Sequence, residues 1–450
     1  MKEKLDKSMD SRLRGNVELK PTKPLSGFIE LLPAQQRFFD DCAARMQNVL
    51  RLAGFSYLDL PAIERAEVLT DAEDWDETAT QMFLFQKGDT KMGLRYDGTV
   101  GLARYVAGHL NDLTFPFRAT QFSKRYRGER PQKGRYREFY QMDLDILGQG
   151  DLSQNYEAEL IAVWEKLYNA IPELVGGYTI NIGNRNFWNA LAEYLQLTPA
   201  QTTGLFALVD KREKMPEQEF KNGIIDVVGN DNGVEILNVF SNGYLSFLNK
   251  SDNLDTAIKE LQNFDKLLSE IGVKNYKINI GVMRGLGYYD GIVYEAYSSD
   301  YPELGSIGGG GRYGNLTGKF SKSSIIGAGL AIGVSRLAMV ALESGRVDLS
   351  KYESPIMAAV LVMGATQVPF AMNFLSRLRD EKIASVPYLD TDKKFKNQIE
   401  FADKIKSKFS IIIGEDEVKS EKLTVKNMTT GEQQKLAPDC VLQMLKSVKK

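Results

Sequence analysis

The chain has 450 residues, 43% of them hydrophobic and 26% charged, with a formal net charge of −2. That length exceeds one ordinary core and calls for two or three domains of a globular protein. No stretch approaches the roughly 18 apolar residues of a membrane span, and the charged opening MKEKLDKSMDSRLRG has no apolar core of a secretory signal, so a cytoplasmic protein without membrane contact is expected.

Residues 1–24 read as a polar N-terminal tail. Residues 33–54 have helical periodicity with Pro33 in the first turn and Gly54 at the end, and a strand running to Leu60-Pro61 follows. MFLFQK and MGLRY read as strands. The stretch GTVGLARYVAGH between them and the next strands reads as a helix that leaves His109 at its surface end. FRATQFSKRYRG and REFYQMDLDILG form a long antiparallel hairpin with a basic loop at its tip. A helix at 154–170 and the strand YTINIG come next. Residues 185–275 are helical and charged, and read as an insertion between two halves of a sheet. YKINIGV and GIVYEAY resume the strands, the glycine cluster SIGGGGRYG follows, and AGLAIGV is a strand running into the helix SRLAMVALESG. From 354 to 450 strands and helices alternate, which predicts a compact α/β domain with a mainly parallel sheet. The predicted fold is thus multidomain, α/β and α+β, with an antiparallel core sheet flanked by helices, a helical insertion and a C-terminal α/β domain. The last hundred residues carry a positive excess of roughly +4 against roughly −6 elsewhere, which suits either a polyanion partner or a solvated lysine face.

Two cysteines, Cys42 and Cys440, lie far apart, and His109 is the only histidine. A zinc site needing two histidines is therefore excluded, a Ser-His-Asp or Cys-His triad is disfavoured because it would have to use His109, and no motif offers a protein-only metal site. Gly318-Lys319 fails as a phosphate loop, because Tyr313 stands where its first glycine belongs and Phe320 where its hydroxyl belongs. No dinucleotide fingerprint follows a strand. A bound nucleotide would have to be held by arginines.

RYRGERPQKGRYREFYQMDLDILG, residues 125–148, offers them. Arg125, Arg127, Arg130, Lys133, Arg135 and Arg137 crowd the hairpin tip. Arg127 can clamp a phosphate, Glu129 can accept from a base amine, and Phe139 can stack on the base. Phe139, Gln141, Asp143 and Asp145 share one strand face, which suits a pocket for a small polar substrate. Arg284 and Arg336, at other strand ends, complete a set able to clamp a triphosphate. The plain alternative is a hairpin of solvated cations with a cross-strand ion pair.

Arg127-Gly128-Glu129 with its loop to Phe139 resembles the second signature of class II aminoacyl-tRNA synthetases, and GAGLAIGVSRL the third. LRYDGTVGLARY, GRYREFYQMDLDILG, RGLGYYDGIVYEA and GGGGRYG resemble the histidyl-tRNA synthetase family, over roughly residues 25–445. The resemblance implies a class II catalytic core at 25–184 and 276–348, an insertion domain at 185–275 and an anticodon-binding domain at 354–450. It implies ATP, with Mg2+, L-histidine and a histidine tRNA as substrates, and a homodimer. Arg127 would hold the α-phosphate, Glu129 and Phe139 the adenine, and Arg336 the γ-phosphate with help from Arg135 or Arg137. Asp97, Thr99 and Gln141 would bind the α-amino group. Asp145 and Tyr289, beside Tyr288, would meet the ring nitrogens. Arg284 would bridge carboxylate and α-phosphate, and Tyr313 would close the pocket. Four positions depart from the family pattern: Gly287 and Gly314 replace Asp, Ser335 replaces Glu and Gly309 replaces Ala. A non-catalytic regulatory or tRNA-sensing paralogue is the competing implication. Arg127, Arg336 and the C-terminal domain, whose Lys393, Lys394, Lys396, Lys404, Lys406 and Lys408 could touch phosphates, speak for the enzyme.

Overall fold

A computed structural model describes residues 21–70, 80–284, 289–314, 318 and 320–449. In chain order its strands are β1 (Ser56–Tyr57), β2 (Ile63–Arg65), β3 (Leu84–Lys87), β4 (Thr90–Leu94), β5 (Phe117–Tyr126), β6 (Glu138–Gln149), β7 (Tyr178–Asn184), β8 (Tyr276–Ile278), β9 (Tyr289–Ser298), β10 (Ser306–Tyr313), β11 (Ile325–Ile332), β12 (Ala358–Val362), β13 (Ser385–Tyr388), β14 (Phe409–Ile413), β15 (Leu423–Asn427) and β16 (Gln433–Leu436). They divide between two compact units, one within Met1–Glu30 and Asp41–Val347, the other within Leu31–Asp40 and Asp348–Lys450.

The first unit is built on an eight-stranded sheet in the order β1-β5-β6-β11-β10-β9-β7-β8. Its six central strands pair antiparallel, while β1 and β8 join the edges in parallel. The alternation in β6 explains the layering. Met142, Leu144 and Ile146 point to one face and are fully buried, and the polar residues between them point to the other. Helix Asn155–Ala170 buries Leu160, Ile161, Trp164, Leu167 and Tyr168, at spacings that keep one stripe inward. The helical stretch predicted at 185–275 contains Arg185–Tyr194, Pro199–Lys211, Glu217–Val228, Asn230–Asn242 and Asp252–Glu270. Thr198 starts one of these with a capping box closed by Gln201. A small sheet, β2-β4-β3, flanks the core.

Two elements differ from the sequence expectation, and one that the sequence left without an assignment gains it. The glycine cluster is β10, a central strand paired on both sides. The strand expected to end at Pro61 pairs only over Ser56–Tyr57. The C-terminal sheet, in the order β13-β12-β14-β15-β16, is mixed and not mainly parallel. β12 pairs β13 and β14 in parallel, but β14-β15 and β15-β16 are antiparallel. The turn between β15 and β16 is too short for a crossover, so the chain can only return as a hairpin.

Candidate active site

The β5/β6 hairpin, with Arg125 opposite Phe139, Ser123 opposite Gln141 and Gln121 opposite Asp143, forms one wall of a cavity of about 310 Å³. Asp97 and Thr99, Arg127, Glu129, Arg135, Phe139, Gln141, Arg284, Tyr289 and Arg336 all line it, and so does Asp143. Ten of the positions given a substrate role from the sequence thus converge, although they come from segments up to 239 residues apart.

One end is lined by carboxylates and amide. Asp97 sits just before the helix Thr99–Gly108, and its Oδ1 accepts the Val100 N–H at 3.2 Å. Burial raises the Asp97 pKa, although that backbone bond opposes the shift. Gln141, which lines the cavity, donates Nε2 to Asp143 Oδ1 at 2.6 Å, so its NH2 and not its carbonyl oxygen is turned to that carboxylate. Asp143 is in turn ion-paired with Arg125, which is fully buried.

Asp145 lies deeper. It does not line the cavity, and it accepts the Tyr313 hydroxyl at 2.8 Å. Burial, and then the charge of Asp143, push its carboxyl up to about 8. Two glycines of β11 make this packing possible: a Cβ on Gly329 would overlap the Asp145 carboxylate, and one on Gly327 the Tyr313 ring. The glycine pair in GAGL, Gly327 and Gly329, is therefore a space requirement of the site.

Arg284 enters from the chain before β9 with a left-handed backbone, φ +60°. Its Nη1 donates to Glu295 Oε1 at 2.8 Å, and Tyr297 donates to Glu295 Oε2 at 2.6 Å. Its guanidinium carbon is 5.6 Å from the Tyr289 ring centroid. Burial lowers the arginine's pKa, but Tyr289 and Glu295 outweigh it and the net shift is upward. This cation is held firmly charged at the cavity wall.

The other end belongs to arginines. Arg127 lies between two rings, 4.6 Å from Tyr96 and 5.3 Å from Phe139. Arg135 approaches Glu129 at 3.5 Å and is half exposed. Arg336 stands in the first turn of the helix Val334–Glu343 and donates Nη1 to the Ser306 carbonyl at 2.9 Å and Nη2 to the Leu304 carbonyl. Burial, and then the charge of Arg135, pull its pKa down. Cations with backbone partners, beside a helix N-terminus, describe a site short of negative charge.

The remaining positions fall outside this cavity. Arg137 faces away: its Nε donates to the Glu129 carbonyl at 3.2 Å and its side chain packs under Gly27. Arg130 and Lys133 are in solvent. Tyr288 and Gly287 lie outside the described residues.

A family model described as histidyl-tRNA synthetase matches residues 27–337, and an anticodon-binding domain model matches 357–448. The histidine–tRNA ligase of Clostridium tetani is 36% identical over 94% of this chain and 98% of its own length. That of Clostridium acetobutylicum is 35% identical over 94% and 99%. The chain belongs to the histidyl-tRNA synthetase family. The crystal structure of histidyl-tRNA synthetase from Nostoc sp. PCC 7120 superposes with a TM-score of 0.79 at 28% identity, over 95% of this chain and all of that one.

Departures from the histidyl-tRNA synthetase pattern have local explanations. A Cβ on Gly309 would meet Arg284 Nη1 at 2.6 Å and the Tyr294 carbonyl at 2.8 Å, so the glycine goes with this arginine conformer. A Cβ on Gly314 would start 2.7 Å from Asp290 Oδ2, where an acidic side chain would face a like charge. Ser335 is buried and its Oγ accepts the Tyr140 N–H at 2.8 Å, tying the last helix of the unit to β6.

Sequence reasoning missed the partners behind the wall. The sequence groups Arg125 with the loop cations, yet strand alternation sets it on the Arg127 face, toward Gln141 and Asp143. Glu295 and Tyr297 carried no motif. Their signal is positional: they share a face of β9 with Tyr289.

Proposed function

We propose that the chain is a histidine–tRNA ligase that joins L-histidine to ATP, forming histidyl adenylate and pyrophosphate, and then passes the histidyl group to the 3′ end of its tRNA. The observation that carries this reading is the single cavity in which acceptors at one end face arginines at the other. The ammonium group of the amino acid lies among Asp97, Thr99 and the Gln141 carbonyl. The ring extends past Gln141 toward Tyr289 and the deeper Asp145, with Tyr313 fixing the Asp145 carboxylate. A site built to bond ring nitrogens rejects side chains that lack them, by roughly 10⁴ in principle.

The substrate carboxylate is its own nucleophile on the α-phosphorus, so the missing histidine base is no obstacle. Positioning and charge stabilisation carry the step. Arg284 sits at the junction, where carboxylate and α-phosphate meet, and Arg127 neutralises the same phosphate. Phe139 stacks the adenine and Glu129 accepts from its amine. Arg336 and Arg135 take the terminal phosphates, while Arg137 supports Glu129 from behind. Mg2+ would enter with the nucleotide as its counter-ion and neutralise phosphate charge.

The core at 25–184 and 276–348 performs this chemistry. The domain at 354–450 reads the anticodon with its exposed lysines Lys393, Lys394, Lys396, Lys404, Lys406 and Lys408. A homodimer covers exposed apolar side chains of the first unit such as Leu52, Tyr57, Ile63 and Phe85. No helix among the described residues is long and apolar enough to cross a membrane, and we place the reaction in the cytoplasm. A non-catalytic paralogue is not favoured, because the phosphate arginines Arg127 and Arg336 and the C-terminal domain are all present.

Charging of total tRNA with each labelled amino acid tests the reading. Histidine alone should become acid-precipitable, and charging should weaken steeply with salt, as expected of phosphate contacts. Charging with another amino acid, or none with histidine, would reject it.

A further inference from the structure

Three residues placed around the α-ammonium group share one support that has no role in the scheme above. Gln141 donates to Asp143 Oδ1 at 2.6 Å, and Asp143 Oδ2 accepts from Arg125. The backbone of Gly98, between Asp97 and Thr99, lies against the same pair: a Cβ there would stand 2.8 Å from Asp143 Oδ2 and overlap Arg125. Gln121, opposite Asp143 in the hairpin, donates Nε2 to the Gly98 carbonyl at 3.1 Å and fastens that loop to β5. Arg125 itself is fully buried, with Nη1 donating to Ser123 Oγ at 2.7 Å and to the Lys124 carbonyl at 3.2 Å.

Such a pair costs desolvation and is weak evidence for stability alone. Its geometry does something more specific. An amide can present either its oxygen or its NH2 to a ligand, and these answer opposite charges. With a carboxylate at 2.6 Å, the amide must turn its NH2 and not its oxygen to Asp143, which leaves the oxygen available to a ligand in the cavity that Gln141 lines. The Asp143 carboxylate keeps this orientation because Arg125 neutralises it. The contact with Gly98 sets where Asp97 and Thr99 stand relative to that oxygen.

We propose that Arg125 and Asp143 are positioning residues for the α-ammonium group of the amino acid, acting through Gln141 and the Asp97–Thr99 loop. The inference rests on the histidine reading. It excludes direct contact between Arg125 and substrate, and it predicts an effect confined to one functional group of one substrate.

Asp143→Asn is the sharpest change. The asparagine side chain has one acceptor oxygen for two donors, Arg125 and Gln141, so the amide of Gln141 is freed to turn. If this variant does not fold, because the Arg125 charge is left unpaired, R125M/D143N removes that charge as well. Calorimetry would give dissociation constants for histidine and for its des-amino analogue, 3-(imidazol-4-yl)propanoate, and steady-state exchange would give KM for ATP. Loss of a charge-assisted bond should weaken histidine about 10- to 100-fold. The des-amino analogue and the KM for ATP should stay within about twofold, since a hydrogen bond to a group that is absent contributes nothing. Histidine and analogue weakening together, or neither changing, would overturn the inference while leaving the histidine reading in place. Wild-type protein that binds neither ligand would overturn both.

Discussion

The two ends of the cavity are built on different principles. At the carboxylate end the side chains are already bonded to one another: Asp145 to Tyr313, Gln141 to Asp143 and Asp143 to Arg125. At the arginine end, Arg336 leans on backbone carbonyls, Arg127 on two rings and Arg135 on one distant carboxylate. A small neutral or zwitterionic ligand offers few contacts, so its acceptors must be fixed in advance to discriminate. A triphosphate brings its own charge and organises cations that wait without strong partners. Selectivity therefore belongs to the end that packing has made rigid, and rate to the end that is electrostatically unsatisfied.

That contrast can be broken from either side. Arg127→Ala should lower the rate of histidine-dependent exchange about 10²- to 10³-fold, the usual loss for one stabilising cation or donor, with little change in melting temperature. Asp145→Asn should instead raise the KM for histidine about 100-fold or more, because the ring meets a changed acceptor, and leave the KM for ATP near its starting value. If Asp145→Asn damaged the two substrates equally, the division of labour would fail. Gly329→Ala tests the packing beneath it. The new methyl group collides with the Asp145 carboxylate and approaches the Leu144 carbonyl at 3.1 Å, so we expect a loss of about 1–3 kcal/mol of stability in denaturant unfolding, with a weaker affinity for histidine.

The smallest effect is on pH dependence. Asp145 holds its proton in the folded protein up to about 8, whereas an unfolded aspartate releases it near pH 3.9, on the order of the ordinary value. Between these values the folded state binds more protons than the unfolded state, so stability falls as pH rises. Thermal melts of the ligand-free protein from pH 5 to 8 should therefore decline less steeply for Asp145→Asn than for the wild type. Arg127→Ala should leave that slope unchanged.

The legible parts of the sequence were those with a period. Alternation in REFYQMDLDILG fixed the faces of β6, and with them the wall that carries Phe139, Gln141 and Asp143. The convergence of Asp97, Arg284 and Arg336 on that wall followed from motif resemblance, not from any pattern within each segment. SIGGGGRYG has no period, and so its strand was invisible. Its glycines answer to neighbours that only the fold supplies: Trp164 and Tyr168 beneath Gly308, Arg284 beside Gly309 and Tyr289 beside Gly311. Arg125 was misread for a related reason. Six cations in thirteen residues suggest one solvated cluster, but burial separates them, and Arg125 finds Asp143 while Arg130 and Lys133 stay in water. In the C-terminal unit the alternation of strands and helices did not decide strand direction: β15 returns antiparallel to β14, and the short turn at Thr429-Thr430-Gly431-Glu432 closes a hairpin with β16.

The most direct test of the central claim is exchange of labelled pyrophosphate into ATP by the purified chain, without tRNA, in the presence of each amino acid in turn. A cavity with fixed acceptors at one end and waiting arginines at the other predicts exchange with histidine alone, abolished or nearly so in Arg284→Ala. Absence of exchange from folded protein that still binds histidine, or exchange driven equally by other amino acids, would contradict it.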